Sequence, residues 1–121
     1  MGKRILLLVS LALAMMLVAN GLAWAKFIDG TDGDDTLIGT KSGDNIDAGA
    51  GDDVVRGRGG QDYIKGGEGE DSQYGGPGND RIVTAGRFTD VVDCGAGTND
   101  RVTADSTDQI TNCEDVRLVD D

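Results

Sequence analysis

Aliphatic residues fall on a nine-residue grid through the middle of this chain: Leu37, Ile46, Val55, Ile64 and Ile82 occupy it, and Gln73 is the one polar member. Two places before each grid position stands an aspartate: Asp35, Asp44, Asp53, Asp62, Asp71 and Asp80. Before each aspartate comes a turn rich in glycine, most cleanly Gly75-Gly76-Pro77-Gly78-Asn79-Asp80-Arg81-Ile82-Val83. Written as nine positions, the unit has glycine at one, two and four, aspartate at six and an aliphatic at eight. Glycine there permits turn conformations closed to residues with a Cβ. Positions seven to nine predict a very short strand whose middle residue points to one face.

A unit of nine residues cannot bury its own aliphatic, so a strict short period predicts a solenoid in which units stack on copies of themselves. One turn and one strand per unit makes two units per coil, with strands on opposite sides. Aspartates eighteen residues apart then lie above one another at a strand spacing of about 4.8 Å. Stacked carboxylates repel unless a cation sits between them, so the same repeat that specifies the fold calls for a ligand. Beyond Val83 the phase slips. Asp90, Asp100 and Asp108, followed by Val92, Val102 and Ile110, continue the pattern at uneven intervals. The regular repeats are expected over residues 30–83 and irregular ones over 84–111, within a repeat domain spanning 26–111, with 112–121 as a C-terminal cap.

The first 25 residues read differently. Lys3 and Arg4 precede an apolar run from Ile5 to Ala19 broken only by Ser10, and Ala23-Trp24-Ala25 fits a small-x-small cleavage site. This is the layout of a cleavable secretory signal peptide, and the run is short for a spanning helix. The competing reading is an uncleaved anchor, but no basic stop-transfer stretch follows. Cleavage after Ala25 predicts a secreted, extracellular or cell-surface protein with no stable membrane span.

Charge sharpens the picture. The whole chain carries a net charge of −11, and the signal segment removes two basic residues while all 22 acids stay. The remaining aromatics are Phe27, Tyr63, Tyr74 and Phe88. So acidic and aromatic-poor a sequence stays disordered unless its acids are neutralised. The sign of the charge excludes nucleic acid as a partner. With no histidine and two cysteines, the chain is poorly supplied for zinc or copper, whereas calcium accepts six to eight hard oxygen ligands in irregular geometry. An EF-hand is excluded because no glutamate closes a loop of the right phase, and a dinucleotide loop because Arg81 stands where the third glycine belongs. Collagen lacks its glycine period. Position seven (Thr36, Asn45, Val54, Tyr63, Ser72, Arg81) makes no threonine ladder for an ice-binding face.

The glycine- and aspartate-rich nonapeptide resembles that of the RTX, or hemolysin-type, calcium-binding family, closely over residues 30–83 and loosely over 84–111. The resemblance implies an all-β parallel β-roll in which calcium sits between a turn and the turn one coil away. The implied carboxylate pairs are Asp35 with Asp53, Asp44 with Asp62, Asp53 with Asp71, and Asp62 with Asp80. Implied carbonyl donors are Gly30, Gly33, Gly49, Gly51, Gly57, Gly60, Gly67, Gly69, Gly76 and Gly78. Some positions depart from the pattern. Ser42 replaces a turn glycine, Gln73 an aliphatic, and the turns at 84–89 and 104–107 lack paired glycines. Asp90, Asp100 and Asp108 therefore stand as either ligands or structural acids.

Cys94 and Cys113 are the only cysteines in a chain read as exported, which predicts a disulfide between them. Free thiols or an intermolecular bridge are the alternatives. The segments around them also resemble the tail of some secreted family members.

The expected function is that of a secreted calcium-binding protein that folds as calcium enters between stacked turns. The alternative is a calcium-stiffened surface or matrix module that binds a wall polymer or a protein, with Tyr63, Tyr74 and Phe88 as possible contacts. A hydrolase built on two of the aspartates is a third reading, disfavoured because no acid pair stands apart from the repeated ones. The repeats fill the chain after residue 25, so no effector domain is expected. Many family members leave the cell by a C-terminal route, from which the N-terminal signal departs.

Overall fold

The computed structural model describes residues 25–84 and 86–119. The expected signal peptide, apart from Ala25, lies outside the described residues. Every regular element among them is a strand: β1 (Phe27–Asp29), β2 (Thr36–Ile38), β3 (Asn45–Asp47), β4 (Val54–Arg56), β5 (Tyr63–Lys65), β6 (Ser72–Tyr74), β7 (Arg81–Val83), β8 (Val91–Asp93), β9 (Arg101–Ala104), β10 (Gln109–Thr111) and β11 (Asp115–Leu118). Odd-numbered strands form one parallel sheet in the order β1-β3-β5-β7-β9-β11, and even-numbered strands form the other in the order β2-β4-β6-β8-β10. Two strands therefore make one coil of a parallel β-solenoid.

Register explains how the fold survives the broken period. Ile28 pairs with Ile46, Ile46 with Ile64 and Ile64 with Ile82, and Leu37 pairs with Val55. Where the spacing lengthens, Gln73 still pairs with Val92 and Ile82 with Val102. Extra residues bulge in the turns, because a one-residue slip within a strand would turn its buried side chain to solvent. At the far end Val102 pairs with Val116 in β11, so the segment expected as a cap contributes a strand of its own. Phe27–Asp29 likewise forms a strand before the first complete repeat.

The core is two columns wide. Ile46, Ile64, Ile82 and Val102 line one sheet and Val55 and Val92 the other, all fully or almost fully buried, and Ala48, Cys94 and Ala104, at the strand ends, belong to the same cluster. Each such aliphatic contributes about 1.5–3 kcal/mol by leaving water. Ile28, Leu37 and Ile110, nearer the ends, are only partly buried. Cys94 and Cys113 are joined by a disulfide with a Cα–Cα distance of 5.2 Å, which ties the end of β8 to the connection between β10 and β11.

The turn glycines serve two purposes. Gly67 and Gly69, at positions two and four, have φ of +84° and +107°, and Gly49, Gly51, Gly76 and Gly78 repeat this geometry. Arg58 adopts it without being glycine, at φ +70°. Position-one glycines have no positive φ. Gly75 is small because a Cβ there would stand 2.5 Å from Asp80 Oδ2 and 2.6 Å from the Cys94 carbonyl oxygen. The sequence reading of position one as a turn-former is thus replaced by a packing reason.

Candidate metal centre

Position six points inward, two residues before the core aliphatic on the same face of the chain. From Asp53 onward, each of these aspartates reaches back one coil and accepts, through Oδ1, the backbone N–H of its counterpart. Asp53 accepts from Asp35 at 2.7 Å, Asp62 from Asp44 at 2.9 Å, Asp71 from Asp53 at 2.9 Å and Asp80 from Asp62 at 2.9 Å. The irregular repeats join the same rows: Asp90 accepts from Asp71 and Asp100 from Asp80 at 2.7 Å, and Asp108 from Asp90 at 2.8 Å. One row, along the turns that lead into the even-numbered strands, runs Asp35, Asp53, Asp71, Asp90, Asp108. The other runs Asp44, Asp62, Asp80, Asp100.

The second carboxylate oxygens separate the aspartates into kinds. Oδ2 of Asp53, Asp62, Asp71, Asp80 and Asp100 is buried without a hydrogen-bond partner among the described residues. Leaving a buried charged oxygen unmatched is costly, and such groups call for a ligand. In the first coil the oxygen is already held: the Thr31 backbone N–H donates to Asp35 Oδ2 at 2.6 Å, and that of Thr40 to Asp44 Oδ2 at 2.6 Å. Both threonine hydroxyls donate to the same carboxylates. Asp108 Oδ2 is held by the Thr84 hydroxyl and the Asp105 N–H.

Electrostatics follow burial. Desolvation pushes the Asp62 carboxyl up to about 8; the N–H of Asp44 opposes the rise, and the charges of Asp80 and Asp44 add to it. Asp71, Asp80 and Asp90 are pushed to about 7 for the same leading reason, each opposed by its backbone N–H and raised further by neighbouring aspartates. Burial also raises Asp53 and Asp100. Without cations, the rows hold more negative charge than their surroundings stabilise.

The turn backbone supplies further oxygens. The carbonyl oxygens of Gly49, Gly51, Gly60 and Gly78 point at the glycines one coil on, where a Cβ on Gly67, Gly69, Gly78 or Gly97 would meet them at 2.0–2.4 Å. Among the described residues no three acidic, cysteine or histidine side chains form a metal-binding group. A cation here would be held by two carboxylates and main-chain carbonyls, a hard all-oxygen set that suits calcium and not zinc. Of the ten glycines named as donors, Gly30 and Gly33 lie in the first turn, which Thr31 organises differently: Gly33 donates its N–H to Thr31 Oγ1 at 3.1 Å.

Two groups were missed in the sequence. Glu114 ends the second row, accepting from the Asp100 N–H at 3.3 Å through Oε1. Its signal was Val116 two places later, hidden by a fourteen-residue spacing. An outer ladder also exists: Asp34 accepts from the Asp52 N–H at 2.7 Å and Asp52 from the Glu70 N–H at 2.9 Å. These are position-five acids, and only their alternation between turns marked them. Tyr63 and Tyr74, considered as partner contacts, lie under Arg81 and Arg56 at 5.8 and 4.8 Å from the ring centroids, while Phe88 is exposed.

A parallel two-sheet solenoid with a carboxylate row along each line of turns defines a β-roll of the calcium-repeat class. The profile of the RTX calcium-binding nonapeptide repeat matches residues 29–64, 48–82 and 57–92, together more than half of the chain. The chain belongs to this family. No curated protein and no solved structure matches it.

Proposed function

We propose that this protein is a secreted calcium-binding β-roll whose folding is completed by calcium entering its two turn rows. The observation that carries the reading is the set of buried, unpartnered Oδ2 atoms on Asp53, Asp62, Asp71, Asp80 and Asp100, spread over both rows. Asp35, Asp44, Asp53, Asp62, Asp71 and Asp80 hold the ions in pairs one coil apart. Carbonyls of the turn glycines complete each shell, and Asp90 and Asp100 extend the rows. Magnesium fits less well, because it demands a tighter octahedron and gives up its waters reluctantly.

The signal-like N-terminus supports export before folding. Low calcium inside the cell leaves the acidic chain open, and higher calcium outside closes it. Extracellular calcium modules bind at about 10⁻⁴–10⁻³ M, which sets the expected range. The role is ion binding and not catalysis. Isothermal titration of the oxidised protein tests this: at least four calcium ions should bind in that range, and no binding at millimolar calcium would refute it.

A further inference from the structure

Gln73 occupies the middle of β6, in the inward column formed by Leu37, Val55, Val92 and Ile110. It is fully buried, and among the described residues neither its amide nitrogen nor its amide oxygen has a hydrogen-bond partner. An aliphatic would fill the same column without that penalty. The amide end is directed at a definite place. A Cβ on Gly66 would stand 2.3 Å from Gln73 Nε2 and 2.8 Å from Asp71 Oδ2, so the amide and the unpartnered carboxylate oxygen converge on one point.

Gly66 itself strengthens the case. In-register positions in the coils on either side are Ala48 and Thr84, both buried and both carrying a Cβ. At Gly66 the atoms nearest a Cβ are instead the Gln73 amide nitrogen and Asp71 Oδ2, so glycine there leaves room for the amide. We infer that Gln73 is an interior calcium ligand, its amide oxygen joining Asp71 Oδ2 on the ion held at that coil. Rotating the amide exchanges Oε1 for Nε2 in the same volume, and amide carbonyls are ordinary calcium ligands. The polar residue in the aliphatic column is thus a part of the site and not a flaw in the core. This inference rests on the calcium reading above.

The test compares Gln73→Leu and Gln73→Glu with the unsubstituted protein by calcium titration calorimetry and by melting in calcium. If Gln73 is a ligand, Gln73→Leu loses one ion or weakens one site by about tenfold or more, the scale of a lost supporting group at a metal site. Gln73→Glu keeps the full number of ions. If Gln73→Leu binds the same number of ions equally well and melts higher, the inference is overturned. Should Gln73→Leu fail to fold, Gln73→Glu decides: full calcium binding supports the role, and failure to reach the calcium-loaded β spectrum refutes it. An unsubstituted protein that binds no calcium would refute the broader reading, which is a distinguishable result.

Discussion

Asp62 accepts the backbone N–H of Asp44 at 2.9 Å through one carboxylate oxygen, while its other oxygen is buried without a hydrogen-bond partner among the described residues. The first contact sets the coil spacing and the second leaves a demand that only a cation or a proton meets. Asp35 differs, since Thr31 already donates to both of its oxygens. Asp62→Asn should therefore weaken calcium binding at its coil by about tenfold or more. Asp35→Asn should cost clearly less. Calorimetric titration of both variants checks the order, and equal losses would contradict it.

Proton binding gives a second expectation. In the folded, metal-free protein burial pushes Asp62 up to about 8 and Asp71, Asp80 and Asp90 up to about 7, from an ordinary aspartate value of 3.8. Folded values above the unfolded ones mean that the fold binds protons more tightly than the open chain. This stabilisation is absent above about pH 8, grows as pH falls through 7, and is complete below about pH 4. Metal-free protein should thus show more β-structure by circular dichroism at about pH 5 than at about pH 9. Calcium affinity should run the other way, falling with pH because protons compete for the same oxygens.

Backbone geometry separates the glycines. Alanine at Gly69 would place a Cβ 2.1 Å from the Gly51 carbonyl oxygen at φ +107°, whereas at Gly33 the nearest atom is Thr31 Oγ1 at 3.8 Å and φ is unremarkable. Gly69→Ala should destabilise the calcium-loaded protein by more than about 2 kcal/mol, and Gly33→Ala should stay within about 0.5 kcal/mol. Denaturant unfolding in calcium measures both.

The disulfide closes a sequence separation of 19 residues at the end where the turns are least regular. Its removal by Cys94→Ser with Cys113→Ser should cost about 3 kcal/mol. Hydrogen exchange should rise in β10 and β11 first and leave β3 to β7 protected. Uniform loss across all strands would contradict this.

Much of this architecture was legible because the chain repeats one physical solution. The spacing of Asp35 to Asp80 and of their partner aliphatics carried the strands, the two-strand coil and the carboxylate pairing. What stayed hidden had local causes. Thr31 and Thr40 look like ordinary turn residues, yet their N–H and hydroxyl groups satisfy Asp35 and Asp44 and make the first coil unlike the rest. Glu114 lies off the period because the last turn is short, with Asn112 at φ +56° making the bend. Gln73 reads as a weak spot in sequence, and only its direction toward Gly66 and Asp71 gives it a purpose.

The most direct test of the central claim is far-UV circular dichroism of the oxidised protein during a calcium titration, with magnesium as control. The account predicts a cooperative coil-to-β transition at about 10⁻⁴–10⁻³ M calcium and none with magnesium. A spectrum that stays disordered at high calcium, or that is fully β without any cation at neutral pH, would contradict it.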